Sequence, residues 1–132
     1  MGAAATSEDA SKSLRVDKSQ IAKTIVFVAD TGDVVLVVLR ADRRVDQSGL
    51  AKLLGYKRLR LARDSEVVEN TGYRPGGVPP LGHAKPLPVF IDREVSEGAY
   101  YCGGGDDKHL LFLDFREIPS RLNVKVIDVP KK

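Results

Sequence analysis

Hydrophobic residues in this chain come in short blocks, and the blocks differ in period. Ile21 to Ala29 reads IAKTIVFVA and Val34 to Leu39 reads VVLVVL, with only Asp30-Thr31-Gly32-Asp33 between them. Both runs are rich in β-branched residues and almost continuously apolar, so they are expected to be central strands with both faces covered. A turn containing Gly between two such runs predicts a hairpin. The period then changes. In DQSGLAKLLG, which starts at Asp46, Leu50, Leu53 and Leu54 fall on one helical face and Gly55 suits the C′ position. Lys57 to Ala62 alternates, which predicts a short half-exposed strand with Leu59 and Leu61 inward and Arg58 and Arg60 outward. Asp64 or Ser65 is expected to cap a second helix that buries Val67 and Val68 and ends at Gly72.

Thr71 to Gly82 breaks every period. It reads TGYRPGGVPPLG and holds four glycines and three prolines in twelve residues. Pro lacks a donor and fixes φ, and Gly gives up backbone entropy, so neither helix nor inner strand fits. Leu87 to Asp92, Ala99 to Cys102, Leu110 to Phe115 and Val124 to Val129 read as further strands. Arg116 to Leu122 reads as a short helix with Pro119 in its first turns, where Pro is tolerated. Residues 1–13 are small and polar and read as a tail, leaving 14–132 as one domain. Hairpins mixed with short helices predict an α+β class. The expected architecture is a mixed, mostly antiparallel, partly barrel-like sheet with short helices packed around it.

Composition narrows the function classes. At 132 residues, 42% hydrophobic and 30% charged, the chain reads as a globular domain with a real core. The apolar run Val34 to Leu39 is far too short to span a bilayer, and MGAAATSEDASKS lacks the apolar centre of a secretory signal. The expected location is therefore cytoplasmic, with no membrane partner, as a monomer or weak homodimer. Twenty-one basic against eighteen acidic residues give a net charge of +3, which suits a polyanionic partner without demanding one. The basic residues cluster at Arg40, Arg43 and Arg44 and again at Lys57, Arg58, Arg60 and Arg63; a solvated face is the plain alternative. One cysteine, Cys102, and two histidines permit no internal disulfide and a thin basis for metal. No metal and no cofactor are expected, and Cys102 is expected to be a buried, inert thiol.

Three features could carry chemistry. Lys23 interrupts an apolar strand, and a lysine there either snorkels at the strand's start or projects into a cavity. Gly76 to Pro80 has a G-x-x-x-P spacing, either a rigid connection or a pocket wall with bare amides. His109 follows Gly103-Gly104-Gly105 into a strand, as a local hydrogen-bonding group or a site residue. No GK[ST] phosphate loop, no strand-GxGxxG-helix order and no nucleophile elbow is present.

Taken together these residues resemble the YbaK/prolyl-tRNA synthetase-associated editing domain family. Ile21 to Phe27 is similar to the family's "aKtlvf" strand. Arg44-Val45-Asp46 through Leu50, Leu54 and Gly55 resembles its "rvd...La..lg" segment. Thr71 to Gly82 matches its "TGy..GGvpP.G" loop nearly residue for residue, Val89 to Asp92 its "v.vD" strand end, and Gly103 to Gly105 its later glycine loop. The resemblance covers about residues 20–129. The family usually carries a further N-terminal helix and strand before the lysine strand, and here the likeness begins near Thr6 to Ser13.

The resemblance implies a YbaK-like fold and a trans-editing aminoacyl-tRNA deacylase. Such an enzyme hydrolyses the ester of tRNA mischarged with a small amino acid, Ala- or Cys-tRNA(Pro) foremost. Its implied partners are the 3′ acceptor end of mischarged tRNA and prolyl-tRNA synthetase. Lys23, Gly76 and Gly77 take the catalytic positions, and Pro79, Pro80, Gly103, Gly104 and His109 the substrate-binding ones, with His109 a selector of alanine. An aminoacyl ester is already activated, so the site must hold the carbonyl near water or the ribose hydroxyl and stabilise an oxyanion. Lys23 has two candidate roles, anchoring the terminal phosphate or ribose and offsetting negative charge. Arg44, Lys57, Arg58 and Arg60 are the candidate contacts to tRNA phosphates. The alternative is a non-catalytic tRNA- or synthetase-binding module of the same fold.

Overall fold

The computed structural model describes residues 17–75, 77–80, 83, 87–103, 110–117 and 123–132. The two apolar runs form the expected hairpin. Strand β1 (Ala22–Ala29) pairs antiparallel with β2 (Val34–Arg40), from Ala22 opposite Arg40 to Val28 opposite Val34. The turn closes on Gly32, whose φ of 91° only glycine adopts freely. Strand β3 (Leu59–Leu61) adds antiparallel to β1. On the other side β4 (Val89–Asp92) pairs parallel with β2, and β7 (Val124–Ile127) pairs parallel with β4. The sheet order is therefore β3-β1-β2-β4-β7. A second, two-stranded sheet joins β5 (Ala99–Gly103) to β6 (Leu110–Asp114), antiparallel. It meets the first through a parallel bridge between Ile21 and Tyr101. The sheets are mixed and mostly antiparallel, as the sequence predicts. Both are open, so among the described residues the barrel does not close.

The central position of β2 explains its composition, since Val35 through Leu39 are all at most 1% exposed. The large sheet separates two apolar layers. One joins Ala22, Val26, Leu36 and Val38 to Val78, Cys102 and Phe115. The other joins Phe27, Val35, Val37 and Leu39 to Leu50, Ala51 and Val129. Each fully buried Leu, Val or Phe contributes about 1.5–3 kcal/mol, so these layers supply most of the driving force.

Helix α1 (Gln47–Leu54) begins where the Asp46 carboxylate accepts the Gly49 N–H at 3.2 Å and ends on Gly55 at φ 84°. It buries only Leu50 and Ala51; Leu53 is 54% exposed, because three residues carry it to the rim of so narrow a stripe. Leu61 likewise ends up 57% exposed, at the last position of an edge strand, beyond the reach of the layer that buries Leu59. Helix α2 (Asp64–Thr71) is capped at Arg63, one residue before the earlier of the expected caps. Arg63 occupies the cap position and donates its N–H to the Glu66 carboxylate at 2.8 Å. Val67 and Thr71 form its buried stripe at i and i+4, which turns Val68 outward. A single turn, α3 (Arg93–Ser96), follows β4 with no signal in the sequence, since four residues are too few for a period. Phe115–Glu117 is a 3-10 turn. The rest of the expected helix to Leu122, and the tail 1–13, lie outside the described residues.

Candidate functional site

The Gly/Pro segment is a built structure. Thr71 is fully buried at its start; its hydroxyl donates to the Val67 carbonyl at 2.6 Å and accepts the Tyr73 N–H at 3.1 Å. Gly72, at φ 81°, turns the chain out of α2. The Gly77 amide donates to the Arg74 carbonyl at 3.0 Å, so it is committed to the turn. Val78, Pro79 and Pro80 are buried. Half-buried His83 stands 2.7 Å from the Pro79 carbonyl through Nε2. Burial lowers the His83 pKa and its hydrogen bond opposes that, so the neutral ring donating Nε2–H is the favoured form.

The two glycine segments meet. A β-carbon on Gly103 would come within 2.6 Å of the Val78 carbonyl oxygen and 2.9 Å of the Gly77 carbonyl carbon. Both are backbone atoms, so only glycine permits the approach. Gly77, Pro79, Pro80 and Gly103 thus belong to one neighbourhood. Gly76, Gly104 and His109 lie outside the described residues.

Lys23 stands at the same end of β1, beside the Ile21–Tyr101 bridge, yet on the other face. It is paired with Leu39, which belongs to the layer of Leu50 and Val129, whereas Val78 and Cys102 belong to the opposite layer. Lys23 is half-buried, and its side chain makes no hydrogen bond or ion pair with a described residue. Burial first, then the positive charges of Lys18 and Arg44, lower its pKa; Asp42 works against them. The opposite face, whose layer includes Val78 and Cys102, carries its neighbour Thr24, paired with Val38. The Thr24 hydroxyl oxygen is buried without a hydrogen-bond partner among the described residues. Sequence reading passed over Thr24. Strict alternation beside Lys23 was the available signal, because it assigns the two residues to opposite faces.

The basic residues divide into two groups. Arg44 is near Lys23. Lys57, Arg58 and Arg60 lie at the far end of β1, where Asp30 accepts the backbone N–H groups of Lys57 and Arg58. Six residues of strand separate Lys23 from Ala29, or about 20 Å at 3.3 Å per residue. A cleft of about 400 Å³ opens there, lined by Val28, Ala29, Asp30, Arg58, Leu59 and Arg60. Arg60 is held by Glu66 through two bonds of 2.7 and 2.9 Å, whose charge keeps that carboxyl at about 2. Cys102 is fully buried and its thiol is pushed up to about 12 by that burial, so it is no nucleophile at neutral pH. Among the described residues no cluster of three or more His, Cys, Asp and Glu could hold a metal, and no helix is long and apolar enough to cross a membrane.

Comparison with known proteins converges on one family. Its model, the aminoacyl-tRNA editing domain, matches residues 2–119. A proline–tRNA ligase of Xanthomonas axonopodis pv. citri (strain 306) is 32% identical over 118 residues, covering 87% of this chain and 21% of the ligase. The chain thus spans about one fifth of the length of that ligase. A crystal structure described as "a putative trans-editing enzyme for prolyl tRNA synthetase" superposes with a TM-score of 0.82 at 29% identity, covering 100% of this chain and 83% of that one. The crystal structure of hypothetical protein APE2540 gives a TM-score of 0.81 at 37% identity, covering 95% and 83%.

Proposed function

The chain belongs to the aminoacyl-tRNA editing domain family, and on that premise we propose that it is a trans-acting aminoacyl-tRNA deacylase. Its substrate in this reading is tRNA mischarged with a small amino acid, Ala- or Cys-tRNA(Pro) foremost. The observation that carries the reading is the backbone contact of Gly103 with Gly77 and Val78, at the end of β1 that also bears Lys23 and Thr24.

Water attacks the ester carbonyl, the ribose oxygen leaves as a hydroxyl carrying one of the water's protons, and the amino acid is released as its carboxylic acid. The group needing stabilisation is the transient oxyanion, and backbone amides that glycine leaves bare are suited to it. The Gly77 amide already serves the Arg74 turn, which shifts that role toward Gly76, Val78 and the Gly103-Gly104 loop. Lys23 faces Lys18 and Arg44 rather than the glycine contact, which favours the first of its two roles, anchoring the terminal phosphate or ribose. Buried Pro79 and Pro80 limit the size of the accepted side chain, a discrimination of roughly 10–200-fold per methylene. His109 is the proposed selector among small side chains.

The test is hydrolysis of a panel of tRNAs charged with alanine, cysteine, serine, threonine and proline. Preferential release of one small amino acid from a mischarged tRNA is expected. Hydrolysis of none would move the assignment to a non-catalytic tRNA- or synthetase-binding module.

A further inference from the structure

The segment Val129 to Lys132 runs back to the Lys23 end of the hairpin and is fixed there. Asp92, the last residue of β4, is 1% exposed. Its Oδ1 accepts the Val129 N–H at 3.0 Å and the Lys131 ammonium at 3.0 Å, and that ammonium also stands 3.0 Å from Oδ2. A carboxylate so buried persists only when paired, so Asp92 is a clamp on this segment. Backbone pairing completes the attachment. The Asp46 N–H donates to the Pro130 carbonyl at 2.8 Å, the Lys132 N–H donates to the Arg44 carbonyl at 3.0 Å, and Val45 bridges Lys131 antiparallel.

Lys132 is therefore beside Arg44, and Arg44 is near enough to Lys23 for the two charges to repel. The other cations at this end have partners: Arg40 pairs with Asp42 and Glu94, Arg43 with Glu94, and Lys131 with Asp92. Arg44 and Lys132 are exposed, and neither side chain has a hydrogen bond or ion pair to a described residue. A row of cations with no acidic partner for Arg44 and Lys132 among the described residues, leading to a half-buried lysine, is an arrangement that counter-charges from outside would complete.

We propose that Arg44 and Lys132, extended by Lys23, form a phosphate-binding edge for the single-stranded 3′ end of an RNA, with the Asp92 clamp holding Lys132 in place. The choice of RNA as the polyanion rests on the deacylase reading; the edge itself rests on the strap. Phosphates contacted by such cations release counterions, so affinity falls with salt in proportion to the contacts made.

The test uses the full chain and an uncharged synthetic RNA hairpin ending in single-stranded CCA, titrated between about 50 and 200 mM salt. Arg44→Ala and Lys132→Ala are each expected to weaken binding roughly 3–10-fold at the lowest salt and to reduce the log–log salt slope by about one. Lys132→Arg should restore wild-type affinity, and Lys125→Ala, exposed on β7, should leave it unchanged. Both alanine variants should melt like wild type. Unaltered affinity and slope in both, or no binding of the hairpin by wild type, overturns the proposal. So does competition by poly-glutamate as strong as that by RNA, which would assign the edge to an acidic protein. A wild type that hydrolyses no mischarged tRNA yet binds the hairpin through Arg44 and Lys132 removes the deacylase reading and leaves the phosphate edge standing.

Discussion

Lys23 is held where an ordinary surface lysine would not be, half-buried and repelled by the charges of Lys18 and Arg44. Its charged form is disfavoured in the folded chain. Stability therefore rises with pH across the interval between the lowered folded value and the ordinary lysine value. Lys23→Met removes the charge and keeps the stem, so it should leave unfolding stability equal or higher by about 1 kcal/mol or less while abolishing deacylation. Urea melts beside the activity assay check this; a parallel loss of stability would mean a packing role. His83 gives a second pH test. Its folded pKa is lowered, so its contribution to stability is present above the ordinary value near 6.5 and is lost as pH falls below that. His83→Asn, which can still donate to the Pro79 carbonyl, should flatten the stability profile between about pH 5 and 7. Lys23 stands out in sequence because a lysine breaks an apolar run; His83, beside the Gly/Pro segment, does not. Thr24 does not stand out by type, since threonine is ordinary in strands; alternation beside Lys23 assigns only its face, and the lack of a partner for its hydroxyl among the described residues needs the structure.

At the level of elements, the contact between β5 and the Gly/Pro segment is the most exposed to a single change. Gly103→Ala would drive a methyl against the Val78 carbonyl, and neither backbone can yield cheaply. A loss of about 1–3 kcal/mol is expected, with deacylation reduced further than stability alone explains. Gly98→Ala is the comparison: its methyl would meet the movable Tyr100 ring at 3.2 Å, and thermal melts should show a smaller effect. Lys57 and Arg58 lie about 20 Å from Lys23 along β1. Their double alanine variant should weaken binding of full-length tRNA and leave hydrolysis of an aminoacyl-adenosine unchanged. Equal losses on both substrates would bring this edge to the ester itself. The hairpin and α1 were readable because β-branched runs and the Asp46 and Gly55 signals are local. Leu53, Leu61 and Val68 were misjudged because a period fixes relative faces and says nothing of how wide a layer covers them.

For the molecule as a whole, the α+β class was readable, whereas the parallel pairings of β2 with β4 and β4 with β7 were not. Such pairings join segments distant in sequence, and no local pattern encodes them. The same holds for the Asp92–Lys131 clamp, whose partners are 39 residues apart. The candidate site was legible as separate motifs, and folding supplied their grouping: Gly77 against Gly103, Lys23 and Thr24 on opposite faces at one end of β1, and Arg44 drawn apart from Lys57. The proposed ester site depends on Lys23 being essential to hydrolysis without being needed for the fold. Single-turnover deacylation of Ala-tRNA(Pro) and Cys-tRNA(Pro) by wild type and Lys23→Ala, side by side at matched folded concentration, tests this directly. Hydrolysis by wild type with a loss of at least about 100-fold in the variant, or about 2.7 kcal/mol of transition-state stabilisation, is predicted; full activity in Lys23→Ala would contradict it.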